Sequence, residues 1–323
     1  MRRSAVVAIV VGLALVAALL AFNDVGRIVA LLVGTGWAIL VPTVLHLPQT
    51  FLSGLGWGPL LKERCSAGLL YRWRWVRESV NTLLPVAQVG GDVVRVRLAV
   101  QRGMALSEAI AASLVDISVE LVGQLLFTLL GVGLLVWGPH GEGTTAIAWA
   151  AAGAVAVFAG LMIAGQRLGA VRLIERGITR WSSHTDWGVR GDLSGLHDAV
   201  AALYRQPRRL LGSGLFHLGS WLAGIVETYA ALWALGLAPT WREATVIEAL
   251  GQAVRACGFL IPGALGVQEG GMLLIGALFG IGGPQALALS LVRRVRELVL
   301  GLPGLALWHR METRRPAVVR GTT

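Results

Sequence analysis

The chain of 323 residues is 55% apolar and 14% charged, with a mean hydropathy of +0.69, whereas a soluble domain carries about 25% charged residues. This balance excludes an ordinary soluble enzyme and leaves room for about seven or eight membrane segments of roughly 20 residues, one modest loop and no separate soluble catalytic domain. The net charge of +10 therefore records arginine placement relative to a bilayer and not nucleic-acid binding.

Met1–Arg3 is basic and Ser4–Phe22 carries no charge, too long for a signal-peptide core, so a retained first span running outward is expected. After an outer turn at 23–27, residues 28–61 are apolar but interrupted by Pro42 and Pro48. They form either one long kinked helix or a span plus a surface segment. Lys62, Arg64, Arg72, Arg74 and Arg77, with Trp73 and Trp75 among them, read as a cytoplasmic headgroup cluster. Residues 79–100 are apolar but broken by Pro85, Gly90 and Gly91, and Arg95, Arg97 and Arg102 follow at once. A re-entrant hairpin fits that pattern. A long helix at 107–137, a return at 146–165 and a basic loop at 166–209 come next, the loop holding eight arginines and two amphipathic stretches that suit either an anionic leaflet or a solvated connector whose charges only enforce topology. The stretch 210–237, with His217 and Glu227, goes outward. Residues 244–283 contain a second break at Pro262-Gly263 with Gly266 just beyond, and 284–308 return to a basic C-terminal tail.

The chain repeats itself. An offset of 177 residues lays Leu84–Leu125 on Ile261–Leu302 without a gap, placing Pro85 on Pro262, Asp92 on Glu269, Ser113 on Ser290 and Glu120 on Glu297. With the repeat cores at 79–137 and 244–308, the first enters from the cytoplasm and the second from outside, so the repeat is expected to be inverted, the architecture of alternating-access transporters. Single cysteines at Gln88 and Leu265 should then label with impermeant reagent from opposite sides; labelling of both from one side would end that topology.

Charges lie inside the expected spans. Asp116 and Glu120 stand near the middle of one long helix, Arg293, Arg294, Arg296 and Glu297 near the middle of the other. A central arginine costs roughly 2.5–3.5 kcal/mol on insertion scales, so these groups need partners. One expectation is mutual neutralisation across the repeat interface. The other is that Arg255 and the three arginines of the second repeat exceed the local acids and, with Asn81 and Gln252, hold a phosphate or other oxygen-rich headgroup. Asp92 and Glu269 sit just past the breaks as N-terminal caps or coupling groups, and His217 with Glu227 offers a proton relay or simple interhelical bonds. No catalytic residue, metal set or cofactor is indicated: Cys65 and Cys257 have no ligand spacing, and no nucleotide, zinc or hydrolase signature is present.

Asn81 and Pro85 with Gly90-Gly91-Asp92 and Arg95, the Asp116–Glu120 helix, and IPGALGVQEGG at 261–271 resemble the lysylphosphatidylglycerol synthase transmembrane (flippase-like) family. The run from Glu248 through SLVRRVRELVLGLPG more closely resembles its hopanoid-biosynthesis-associated branch, the HpnL type. The resemblance implies a multi-pass protein of the bacterial inner membrane that moves a lipid between leaflets, with hopanoid or other lipid biosynthesis enzymes as partners. It does not carry over synthase activity, since the transferase domain of full synthases has no counterpart here. Simple hopanoids are uncharged while an arginine-rich core favours phosphate; a polyol-bearing hopanoid or a phospholipid would reconcile the two. The resulting expectation is an all-α membrane protein of about six to eight membrane helices plus two re-entrant hairpins, both termini cytoplasmic, acting as a lipid translocase that is not an enzyme. An intramembrane lipid-modifying enzyme and a scaffold for lipid biosynthesis are the rivals.

Overall fold

The computed structural model describes residues 3–86, 89–137, 195–258 and 261–313, with six isolated positions between 149 and 164. Every regular element among them is helical, as the composition predicts. The return at 146–165 apart from those six positions, the loop segment 166–194, Gln88 and the tail arginines Arg314, Arg315 and Arg320 lie outside the described residues.

Helix α1 (Arg3–Ala21) is followed by α2 (Val25–Thr35), whose first turn is capped where the Asp24 carboxylate accepts from the Arg27 N–H at 2.9 Å. A single 3-10 turn at Gly36–Ile39 separates α2 from α3 (Leu40–Trp57). The interruption falls at Gly36, which takes φ +52°, and not at the prolines expected to make it. Pro42 stands in the first turn of α3, where an N–H has no helical acceptor anyway, and Pro48 is accommodated within the helix.

Helices α4 (Ala67–Leu83) and α5 (Gly90–Val100) form the first hairpin. It begins at Ala67, twelve residues before the Ser79 that the sequence indicated, because RWRWVR is itself part of the helix. Leu84 is extended at ψ 148°, as the residue before a proline prefers, and Pro85 thereby ends α4. Gly90 and Gly91 do not break a helix. They open α5, and a Cβ on Gly91 would lie 2.2 Å from the Arg77 carbonyl oxygen, so the bare backbone is what lets the two arms touch. The long α6 (Leu106–Val136) follows. The short α7 (Leu196–Tyr204) buries Leu196, Val200 and Leu203 against α6 and its neighbours, so its apolar face meets protein where a leaflet was expected.

Helix α8 (Pro207–Ala234) leads to the second hairpin, α9 (Trp241–Cys257) and α10 (Val267–Ala277), and to the long α11 (Gly283–Thr313). The second break does contain backbone only glycine adopts easily: Gly263 and Gly266 take φ +60° and +80°. Helix α9 starts on a capping box, Thr240 with Glu243.

Helix ends recur at the offset of 177 residues. Helices α5 and α10 begin at 90 and 267 and end at 100 and 277, while α6 and α11 begin at 106 and 283 and end at 136 and 313; all four offsets are 177. For α4 and α9 the offset is 174 at both ends, because the second break is nine residues long and the first six. Packing is exchanged between the copies: α4 lies against α11, and α9 against α6. Small residues permit both approaches, since a Cβ on Gly131 would come within 2.6 Å of Ala249, and one on Gly304 within 1.9 Å of the Ser79 hydroxyl.

Helix α8 shows what solvent surrounds the bundle. Leu211, Leu215, Leu218, Leu222 and Val226 point outward and are exposed, while Ser213, His217, Ser220, Glu227 and Thr228 are buried on the opposite face. Apolar outside and polar inside is the pattern of a helix solvated by hydrocarbon. The bundle is a membrane protein.

Candidate functional site

The polar faces turned inward converge on a cavity of about 250 Å3 at the junction of the two copies. Helix α4 contributes Arg74, Arg77, Glu78 and Asn81, spaced i, i+3, i+4 and i+7 and therefore on one face. Helix α6 contributes Glu120, α3 His46, α9 Gln252 and Arg255, and α11 Arg296 and Glu297, with Tyr71, Trp75 and Trp221 as aromatic walls.

Around this cavity the charges form two clusters, one per copy. In the first, Arg74 holds Glu78 at 2.7 Å and grips Glu120 with two nitrogens at 2.7 and 3.2 Å. Arg77 lies 2.7 Å from Asp92 and 3.1 Å from Glu120. Arg95, 1% exposed and stacked over the Trp57 ring at 4.3 Å, donates to Asp116 at 2.6 Å, to Asp92 at 3.0 Å and to Ser113 at 2.9 Å. In the second cluster Arg293 donates to Glu248 at 2.6 Å and to Thr228 at 2.9 Å. Arg294 joins Glu269 and Glu297, both at 2.9 Å, Arg255 pairs with Glu297 and with Gln268 at 3.0 Å, and Arg296 pairs with Glu227. The copies also share a detail: Ser113 approaches Asp92 at 3.5 Å and Ser290 approaches Glu269 at 3.4 Å.

Several expectations change here. Asp116 and Glu120 are not neutralised by the arginines of the other copy; each guanidinium–carboxylate pair of the two clusters joins residues of the same half. Nor are guanidinium groups in surplus. Seven (Arg74, Arg77, Arg95, Arg255, Arg293, Arg294, Arg296) face eight carboxylates (Glu78, Asp92, Asp116, Glu120, Glu227, Glu248, Glu269, Glu297). Arg74, Arg77 and Arg95, read as markers of the cytoplasmic face, are buried members of the first cluster. Their spacing on α4 was visible in the sequence, but an Arg-Trp alternation beside a span is the usual headgroup pattern and concealed it.

Of the residues expected to bind a headgroup, Arg255, Arg296, Asn81 and Gln252 line the cavity, whereas Arg293 and Arg294 are not part of its lining. Arg294 instead donates to the Gly263 carbonyl at 2.5 Å, and Asn81 accepts from the Gly91 N–H at 2.7 Å. Each thereby satisfies a backbone group that a helix break or start has freed. Glu269 caps α10, accepting from the Gly266 N–H at 2.7 Å; Asp92 caps nothing and serves Arg77 and Arg95. The relay between His217 and Glu227 does not form. His217 meets Asp116 at 2.9 Å, while Glu227 meets His46 at 2.8 Å. His46 thus links α3 to α8 and, through Arg296 at 3.2 Å and Glu78 at 3.9 Å, to α11 and α4. Sequence reasoning missed it, because nothing local ties residue 46 to residues 227 and 296.

Residues 6–304 match the family described as the lysylphosphatidylglycerol synthase TM region. The chain belongs to that family. It is also similar to a UPF0104 membrane protein of Methanothermobacter thermautotrophicus (strain Delta H), 24% identical over 238 residues. That similarity covers 68% of this chain and 66% of the archaeal protein's length. The family is a membrane domain of lipid-related proteins, in accord with the inverted polarity of α8 and the interior charges of α6 and α11.

Proposed function

We propose that the protein moves a polar-headgroup lipid between the leaflets of the inner membrane, without ATP hydrolysis and with both termini on the cytoplasmic side. The observation that carries this reading is the cavity: charged side chains of both copies line it, inside a bundle whose outer surface is apolar. A headgroup enters between the hairpins while its acyl or polycyclic tail stays in the bilayer. Because guanidinium and carboxylate groups alternate in nearly equal number, the cavity suits a headgroup that both donates and accepts hydrogen bonds. A polyol or a zwitterion satisfies these groups without displacing a charge, whereas a bare anion must first expel a carboxylate from Arg74 or Arg255. A polyol-bearing hopanoid, carried by the resemblance to the hopanoid-associated branch, and a zwitterionic phospholipid are the cargoes of this kind. Enzymes of the same lipid pathway are the natural partners.

Leaflet exchange in liposomes holding the purified full-length protein tests the proposal, using headgroup-labelled polyol hopanoid, zwitterionic and anionic lipids. Exchange of the polyol or zwitterionic lipid should exceed that in protein-free liposomes and fall at least about tenfold, or 1.4 kcal/mol, in Arg255→Gln/Arg296→Gln. A rate equal to that of protein-free liposomes for every lipid rejects translocation. Appearance of a chemically altered lipid by mass spectrometry would replace it with an intramembrane enzyme.

A further inference from the structure

A second group of arginines lies outside the central network. A groove of about 630 Å3 is bounded by Arg72 of α4, Gln101 and Arg102 just past α5, and Leu307, Arg310 and Met311 near the end of α11, with Leu98 at its floor. All three arginines are exposed. None has an ion-pair partner among the described residues, and Glu312, two residues beyond Arg310, is engaged elsewhere: it accepts from Arg97 at 2.8 and 3.1 Å and from Gln101 at 3.1 Å. The contrast with the central clusters is chemical. There an anion must displace a carboxylate, whereas here three guanidinium forks stand ready for one.

The surroundings say what kind of anion. Leu98, Leu307 and Met311 make much of the lining apolar, which a soluble phosphate does not require. Along α11, Val299 and Pro303 precede Arg310 by eleven and seven residues, close to three and two full turns, so they lie beneath it on the same helix face. Both are exposed, and Leu302 beside them is 60% exposed. A phosphate held at Arg310 would therefore sit at the head of an apolar track along which acyl chains can lie. Juxtamembrane arginines draw anionic lipid by about 1 kcal/mol each.

We infer that this groove binds the headgroup of an anionic glycerophospholipid, as a site separate from the central cavity and independent of the transport proposal. Native mass spectrometry of the full-length protein tests it, with phosphatidylglycerol and phosphatidylcholine of matched chains as probes. Wild type should retain at least tenfold more phosphatidylglycerol than Arg72→Gln/Arg102→Gln/Arg310→Gln, while phosphatidylcholine, a zwitterion that the central cavity can hold, is retained equally by both. Arg208→Gln, which alters an exposed arginine outside both the groove and the cavity, should retain phosphatidylglycerol as wild type does. The single variant Arg310→Gln, a surface change of small effect on folding, should show a partial loss and serves if the triple variant is unstable. Equal retention of phosphatidylglycerol by wild type and the groove variants overturns the site. Displacement of phosphatidylglycerol by millimolar inorganic phosphate alone overturns the lipid assignment in favour of a free-anion site.

Discussion

Asp116→Ala is expected to destabilise the protein by about 3–5 kcal/mol, the effect of removing one partner from a buried ion pair. Asp116 is 0% exposed and Arg95 1%. Asp116 accepts from Arg95 at 2.6 Å and meets His217 at 2.9 Å. Its loss strands a guanidinium that has only Asp92 to share, in surroundings closed by Trp57 and Ser113. Restoring polarity balance should restore stability: Arg95→Met/Asp116→Leu, which removes both charges at similar volume, should recover most of the loss, as paired replacements of buried ions do. Denaturation in nanodiscs measures both variants. A single variant within about 1 kcal/mol of wild type would show that the Arg95–Asp116 pair holds nothing together.

Gly91→Ala is expected to destabilise by about 1–3 kcal/mol or more, through overpacking. The added Cβ would stand 2.2 Å from the Arg77 carbonyl oxygen and 2.8 Å from the Asn81 amide oxygen. The first of these is backbone and cannot rotate away, so α5 must lift from α4. That movement stretches the 2.7 Å bond from the Gly91 N–H to Asn81 and the 2.7 Å Arg77–Asp92 pair, and so opens the first cluster. Gly133→Ala is the comparison. This glycine lies in α6 with nothing among the described residues within 4 Å of a Cβ, and alanine there should be neutral or stabilising by roughly 0.5–1 kcal/mol through helix propensity. Equal melting temperatures for the two variants would refute the argument from close approach.

Much of the fold was legible because hydrocarbon solvent leaves a plain record. Long apolar runs mark α1 and α6, and the pairing of Pro85 with Pro262 and Asp92 with Glu269 gave the 177-residue register that the ends of α5, α6, α10 and α11 reproduce. The acids and arginines of α6 and α11 were also visible, since few side chains survive at that depth without a partner. What stayed hidden was the pairing. Arg74 and Arg77 had to be told apart from Arg72, two and five residues away on the same helix, and only the direction each faces decides that. Helix α4 turns Arg74 and Arg77 to the cavity and Arg72 to the groove. Carboxylates such as Glu227 and Glu248 were recognised singly, but their arginines come from α11, 69 and 45 residues further on. Spacing within one helix cannot express a contact between two.

The exchanged packing of the copies also sets an order of events during synthesis. Helix α4 ends at Leu83, and α11, against which it lies, begins at Gly283. At about 5–20 residues per second those 200 residues take about 10–40 s to emerge from a ribosome. Throughout that interval the first half sits in the bilayer without the surface that will cover it. It can wait because Arg74, Arg77 and Arg95 already have Glu78, Asp92, Asp116 and Glu120 from their own half. Local neutralisation gives the nascent chain an insertable intermediate, and apolar docking of the late half completes it.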